Sequence, residues 1–419
     1  MRIGVIGAGA AGLTTAWLLN DHHDVTLFEK QNRLGGHAHT IEVEQGGERI
    51  GIDAGFEFFS DVMFPKFTRL LSTLGVALCK FPMTATLYTV DNRRVFMLPP
   101  VRDGKVIWSA LRPQSLLAML QHQRVLSSAV RLMDTPDPSI TLEQFLNNLP
   151  VARSFKDDFL YPLLMAGWCV GLEDFKRFSA YNVLKYSFMH KSSGLSPYCW
   201  TEVVGGTQAY VKAVARALTR TDIKLSADIS RITRPGNTHV VHNADGRAYA
   251  FDHLVIATNA DEARTLLAQL EGAEEIRQTL NQVEYFKTTI AVHGDRRLMP
   301  AQEKHWSVVN TRYDGRYSTN TIWKSWKSRK PIFRSWVTYE TQMPEPLYAL
   351  ATYYHPKVNL SYFQAQHSLT RLQGKNHLWF VGTYTHDVDC HESAVVSAIK
   401  VVQQLDPQSA RFKQLLVGR

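Results

Sequence analysis

A glycine-rich turn at the start of the chain constrains its fold more than any other feature. Ile3-Gly4-Val5-Ile6 reads as a buried strand, Gly7-Ala8-Gly9-Ala10-Ala11-Gly12 as a tight turn, and residues 13–19 as an apolar helix. A second strand, Val25-Thr26-Leu27-Phe28, ends on the acid Glu29. In such a unit the first glycine permits the turn, the second lets backbone approach a pyrophosphate, and the third lets helix and strand pack closely. The helix start then offers unpaired N–H groups to the phosphates, and the acid accepts from a ribose hydroxyl. Six residues after Glu29 comes a second glycine turn, Arg33-Leu34-Gly35-Gly36-His37-Ala38. Strand, turn, helix, acid and second turn together predict a dinucleotide site on a parallel α/β sheet.

A chain of 419 residues is too long for one compact core, so two interleaved domains are expected. Hydrophobic residues make up 45% and charged residues 20%, as in an ordinary globular protein. Cys79, Cys169, Cys199 and Cys390 are scattered without CxxC spacing, which argues against a disulfide framework or a zinc site and fits a reducing, cytoplasmic compartment. No histidine pair has metal-ligand spacing, and no metal is expected. The longest uncharged apolar stretch, residues 159–172, is too short for a bilayer span of roughly 20 residues.

The formal charge of +9 has one conspicuous carrier, Trp323-Lys324-Ser325-Trp326-Lys327-Ser328-Arg329-Lys330, with Arg334 and Trp336 close behind. It reads first as a solvated strand edge with tryptophans in the core, then as a contact for an anionic substrate or a membrane surface. Nucleic acid comes last, because no recognition motif accompanies the charge.

Helical spacing covers residues 64–75 and 116–133, with Pro113 just ahead of the second, and another helix starts at Thr141. Residues 61–199 are thus expected to be mostly helical. Beyond Gly205-Gly206, a helix over 208–218 precedes strands at 223–232, 239–242 and 249–257, the last two joined at Asp245-Gly246. A strand-rich, aromatic stretch spans 283–371. The chain closes with Leu378-Trp379-Phe380-Val381, Gly382 and a helix over 393–405.

These signals occur in a familiar order: the glycine turn, Glu29, Arg33-Leu34-Gly35-Gly36, Asp53-Ala54-Gly55, Gly205-Gly206, Ile256-Ala257-Thr258 and Phe380-Val381-Gly382. The chain resembles the flavin-containing amine oxidase and phytoene desaturase superfamily, most of all a bacterial branch of amine-oxidase-like FAD-binding proteins. The resemblance implies a Rossmann-like FAD-binding domain (1–60, 200–280 and 372–419) and a discontinuous α+β substrate domain (61–199 and 281–371). FAD is the cofactor it implies.

Carried over, the resemblance sets Gly7, Ala8, Gly9, Ala10, Ala11 and Gly12 around the pyrophosphate. It puts Glu29 and Lys30 at the adenosine ribose, and Arg33, Gly35, Gly36 and His37 along the phosphates and ribityl chain. Ala54, Gly55 and Phe56 run beside the isoalloxazine, and Ile229 meets the adenine end. Ala257, Thr258, Gly382 and Thr383 approach the phosphates or ribityl. His391, Glu392, Ser393 and Ala394 lie at the pyrimidine edge, where a helix start would face negative charge. Many relatives carry arginine where this chain has His37, so compensating charge comes from a protonated His37 or from elsewhere. Several hold a water at flavin N5 with a lysine, for which Lys287 is the nearest candidate.

Three further sites have two readings each. His391 is either catalytic or a structural hydrogen-bond partner. Tyr384 is either part of an aromatic wall or a core tyrosine. Tyr161-Pro162-Leu163-Leu164-Met165-Ala166-Gly167-Trp168 either lines a substrate tunnel or makes a plain buried helix. The leading expectation is an FAD-dependent oxidoreductase taking hydride from a carbon of an amine or a lipid-like aliphatic chain. A redox-neutral isomerase or desaturase-type enzyme on an acyl or isoprenoid chain, and a non-catalytic flavoprotein scaffold at a membrane, are the alternatives.

Overall fold

The computed structural model describes residues 1–61, 63–189 and 199–416. Its centre is a five-stranded parallel sheet in the order Asp222–Lys224, Asp24–Phe28, Arg2–Ile6, His253–Ile256, Leu378–Phe380. Past their first residues, strands Arg2–Ile6 and His253–Ile256 are fully buried and carry no polar side chain, because both faces are covered. Helix Ala10–Leu19 runs back across one face and packs along the last long helix, His391–Leu405. Strand His253–Ile256, read from the sequence as one run with 249–251, is separate. Ala248–Phe251 belongs to a three-stranded antiparallel sheet instead. The break falls at Asp252, whose carboxylate accepts from the Arg2 N–H at 2.8 Å and from Arg2 Nη2 at 2.9 Å. Likewise 223–232 divides into Asp222–Lys224 and Ile229–Thr233, in different sheets.

The second body is a seven-stranded mixed sheet in the order Leu347–Pro356, Tyr285–His293, Phe333–Trp336, Ser318–Trp323, Val309–Tyr313, Ala85–Thr89, Val95–Leu98. Residues 78–98 thus supply strands to a region expected to be mostly helical. Helix Pro113–Asp134 begins at its proline, and Thr141 caps Leu142–Asn147 in a reciprocal box with Gln144.

Helix Pro65–Thr73 does not go with the substrate-side insertion. Phe67, Leu70 and Leu71 are buried in the same apolar cluster as Val5, Leu27, Tyr210 and Val395. No helix among the described residues is long and apolar enough to cross a membrane.

Candidate active site

Three glycines in one turn are glycines for three different reasons. Gly7 has φ +101°, and a Cβ there would lie 2.7 Å from the Ala257 carbonyl oxygen. A Cβ on Gly12 would run into the Gly7 carbonyl oxygen. Both are fixed by the protein's own packing. A Cβ on Gly9 would meet nothing within 4 Å, and helix Ala10–Leu19 starts directly after it. Ala10 and Ala11 are that helix's first residues, so this open side is where phosphates can approach.

Glu29 is bonded to the same turn: one carboxylate oxygen accepts from the Ala8 N–H at 2.9 Å and the other from the Gln31 N–H at 2.8 Å. The paired-glycine segment is strapped alongside, with the Gly35 N–H donating to the Ala8 carbonyl at 2.8 Å. Gly36 has φ +56°, and a Cβ on it would stand 3.1 Å from Gly9 Cα. Arg33 donates through Nη2 to the Gly36 carbonyl at 3.0 Å, and its Nη1 is buried with no hydrogen-bond partner. An open glycine, a closed glycine pair and an orphaned guanidinium nitrogen fit a dinucleotide diphosphate.

Other expected contacts divide. Ile229 follows residues 226 and 227, whose N–H groups bond Gln31 and Glu29 carbonyls, which sets it at the Glu29 end. Ala257 and Thr258 continue from strand His253–Ile256 beside Gly7. Gly382, at φ +141°, donates its N–H to Ser397 Oγ at 2.9 Å, and the Thr383 carbonyl accepts from the Tyr362 hydroxyl at 2.7 Å. Lys30 points outward to Glu262 at 3.3 Å. Glu392 faces away as well. Its carboxylate accepts from the Lys66 and Phe67 N–H groups, both at 2.8 Å, and so caps helix Pro65–Thr73. Burial pushes that carboxyl up to about 7 against these bonds. The Ser393 N–H donates to Cys390 Sγ at 3.5 Å, and Ala394 is buried in the adjoining core. Burial raises the Cys390 thiol to about 12, which makes it a poor nucleophile.

At the opposite end, the Ala54 N–H donates to the His39 carbonyl at 2.8 Å and the Phe56 N–H to the His37 carbonyl at 2.9 Å. Gly55 lies so close that a Cβ would run into the His37 carbonyl. The His391 ring stacks on Phe56, with centroids 4.0 Å apart and planes 8° off parallel, and its Nε2 is 2.9 Å from the Tyr210 hydroxyl. Burial, then the neighbouring His37, lowers it to about 3. His37 stacks on His355 at 5.2 Å and tilts against Tyr353 at 4.7 Å. Burial, then His355, lowers His37 to about 3, so it is neutral at pH 7. Arg33 is the cation bonded to this turn.

Strand register separates the remaining candidates. Phe286 is opposite His355, Thr288 opposite Tyr353, and Ile290 opposite both Ala351 and Trp336. These side chains share one face, since neighbours along a strand alternate. Lys287 pairs with Tyr354 on the other face, and both are exposed. Lys287 is therefore turned away from the Tyr353 side, and the lysine role does not transfer to it. Tyr384 is fully buried beneath Gly382 in the main core, its hydroxyl without a hydrogen-bond partner. The aromatic side chains packed with Ala54 are instead Tyr353 and Trp336, joined by Cys169 and Ile290. Cys169 directly follows the apolar 161–168 stretch and brings that stretch's end to this wall.

The cations beside this wall come from the tryptophan-rich segment, and they are internal. Lys324 Nζ lies 3.0 Å from Glu202, 3.4 Å from Glu57 and 3.5 Å from Asp53. Burial alone would lower this lysine, but Glu57, Asp53 and Glu202 overcome it and hold it above its usual value. Asp53 also accepts from Thr40 Oγ1 at 2.6 Å and from the Thr207 N–H and Oγ1, both at 2.8 Å. Arg334 sits 3.7 Å from Glu57, over the Trp336 ring at 5.5 Å, with Nη2 3.5 Å from the Gly55 carbonyl. Its Nε is buried without a partner. Trp326 stacks on Phe81 at 4.0 Å and donates Nε1–H to Glu202 at 2.7 Å. The segment is a buried ion-pair network and does not offer its tryptophans to a surface. Sequence reasoning missed Tyr353 and read Arg334 as part of a basic segment; no local pattern marks either, since strand Phe333–Trp336 is buried at every position.

Parallel sheet, open glycine, turn-bound acid and a strap beside an aromatic wall are the frame of a two-domain, dinucleotide-binding protein. The family model for flavin containing amine oxidoreductases matches residues 10–331, and the chain belongs to that family. Its cofactor is FAD, and it is a flavin-dependent oxidoreductase. It is 40% identical over 115 residues to a tryptophan 2-monooxygenase of Allorhizobium ampelinum, a match spanning 25% of this chain and 16% of that enzyme. Its fold is similar to a fatty acid isomerase from P. acnes, with TM-score 0.71 and 15% identity over 97% of this chain and 98% of the other. It is similar too to cyclohexylamine oxidase from Brevibacterium oxydans IH-35A, with TM-score 0.66 and 16% identity over 97% and 99%. At such identities the likeness is one of fold.

Proposed function

We propose that this chain oxidises a carbon centre in a substrate with an apolar body, an amine or a lipid-like aliphatic chain. The observation that supports this most is the wall packed with Ala54: Tyr353, Trp336, Ile290 and Cys169 form an apolar surface against the strip expected to lie along the isoalloxazine. When bound, FAD supplies the hydride acceptor at N5. The chain's residues do the rest. Gly9, Gly36 and Glu29 anchor the nucleotide end, Arg33 offsets diphosphate charge, and the apolar wall excludes water from the donor carbon. His37 and His391, both neutral, add no positive charge beside that carbon. Arg334 is the buried cation nearest the strip and steadies a polar substrate group or the Gly55 carbonyl.

The test is anaerobic mixing of the holoenzyme with a panel of alkylamines and acyl chains. The reading expects loss of flavin absorbance with one of the two classes. A substrate that changes only when the flavin is first reduced, with no net consumption of reductant, would replace it with the redox-neutral isomerase. A flavoprotein that no donor bleaches and that alters no substrate would support the scaffold.

A further inference from the structure

Helix Pro113–Asp134 is built with its polarity reversed at one end. Its first two turns bury Ser115, Ala118 and Gln121 and turn three leucines outward: Leu116 is 52%, Leu117 56% and Leu120 64% exposed. The preceding turn, Trp108–Ala110, leaves Trp108 79% exposed. Isolated exposed leucines need no account, but a tryptophan and three leucines in thirteen consecutive residues form one apolar protrusion. At 100° per residue, Leu116, Leu117 and Leu120 fall within one arc of the helix, and Arg124 and Arg131 fall within the same arc further along. The face is apolar at its tip and carries Arg124 and Arg131 along its shank, with Asp134 only at its far end. About 6 Å of helix rise separates Leu120 from Arg124.

Charge around the tip is mainly positive. Lys105 and Arg112 are exposed beside it. The one acid in this stretch, Asp103, is held by Arg329 at 3.3 Å and Arg102 at 3.6 Å, which brings Arg329 to the rim. Leucines and a tryptophan with a rim of lysine and arginine are the composition of a side that sits in the interfacial layer of an anionic bilayer. Apolar groups enter to a depth of about 5–10 Å, and cations stay at the phosphates.

We propose that Trp108, Leu116, Leu117 and Leu120 dock this protein on anionic lipid, with Lys105, Arg112, Arg124 and Arg329 at the headgroups. This surface is on the insertion, remote in sequence from the glycine turn, and the inference does not rest on the substrate reading. It relocates the membrane contact expected for residues 323–336. The tryptophans of that segment are internal, and only its exposed arginine reaches the rim.

The test is co-sedimentation of the full chain with vesicles of phosphatidylcholine alone or mixed with phosphatidylglycerol. Binding should require the anionic lipid and weaken about tenfold when salt rises from about 0.1 M to about 0.5 M. The double variant Leu117→Ser/Leu120→Ser should bind at least about tenfold more weakly. Arg112→Gln/Arg124→Gln should lose the salt dependence while keeping its melting temperature. Brominated lipid should quench wild-type tryptophan fluorescence, and Trp108→Phe should abolish that quenching. Equal binding by the serine variant, or no binding to anionic vesicles at low salt, overturns the proposal. So does a dimer that the serine variant dissociates, because the occupant is then a second copy of this chain.

Discussion

The glycine cradle and the seven-stranded sheet meet at Ala54–Gly55–Phe56, and they are built by opposite means. The cradle is main chain: Gly7, Gly12, Gly36 and Gly55 are held where a single methyl group would collide with or crowd backbone, and Glu29 bonds an N–H of the turn itself. The sheet side is side chain: Lys324 among three carboxylates, Arg334 over Trp336, Tyr353 under His37. Backbone geometry is demanding about residue type and indifferent to substrate. Side-chain chemistry can be rewritten strand by strand while the cradle stays the same.

Lys324→Met probes the side-chain half most severely. Removing one partner from a buried charge cluster costs about 3–5 kcal/mol, so its denaturation midpoint should fall further than that of any variant below. A mild effect would mean the carboxylates find water or protons instead. Gly12→Ala tests the backbone half. Overpacking costs about 1–3 kcal/mol, and here the obstacle is a carbonyl oxygen that cannot rotate away, so flavin content should drop together with melting temperature. Glu29→Ala should separate the two, leaving the melt nearly intact but releasing FAD on dialysis; flavin retained at wild-type stoichiometry would contradict the ribose assignment.

Acid should act on the junction. His37 and His391 are each held at about 3, below an unfolded value near 6.5, so the unfolded chain binds protons first. Their contribution is intact above pH 6.5 and is lost progressively as pH falls toward 3. His391→Gln should flatten that slope in pH-dependent melts, and an unchanged slope would remove His391 from the account. Lys287→Ala is the smallest expected effect, within about 0.5 kcal/mol, with unaltered flavin reduction. A large loss of turnover would return the lysine to the site.

The cradle was legible because glycines at Gly7, Gly9 and Gly12 report backbone constraints directly in the sequence. Helix starts at Pro113 and Thr141 were legible for a similar local reason. The wall was not, since Tyr353 and Trp336 meet through strand pairing between distant segments and Cys169 reaches them from a loop some 170 residues earlier. Lys287 failed by one residue of register, which moves a side chain to the opposite face. Lys324 and Arg334 looked like a surface patch because their neutralising acids, Asp53, Glu57 and Glu202, lie far away in the sequence. Glu392 looked like a cofactor contact because nothing local reveals that it clasps the N–H groups at residues 66 and 67.

That clasp has a consequence for how the molecule is made. Synthesis delivers residue 67 some 325 positions before residue 392, and at ordinary ribosomal speed the interval is roughly 16–65 s. Through that wait the nascent chain has a finished glycine turn but no final strand along the sheet edge and no carboxylate for its early helix. Cofactor retention thus depends on a chain extended past residue 392. A ribosome stalled before residue 392 would display a half-made nucleotide fold with its apolar flank open to chaperones.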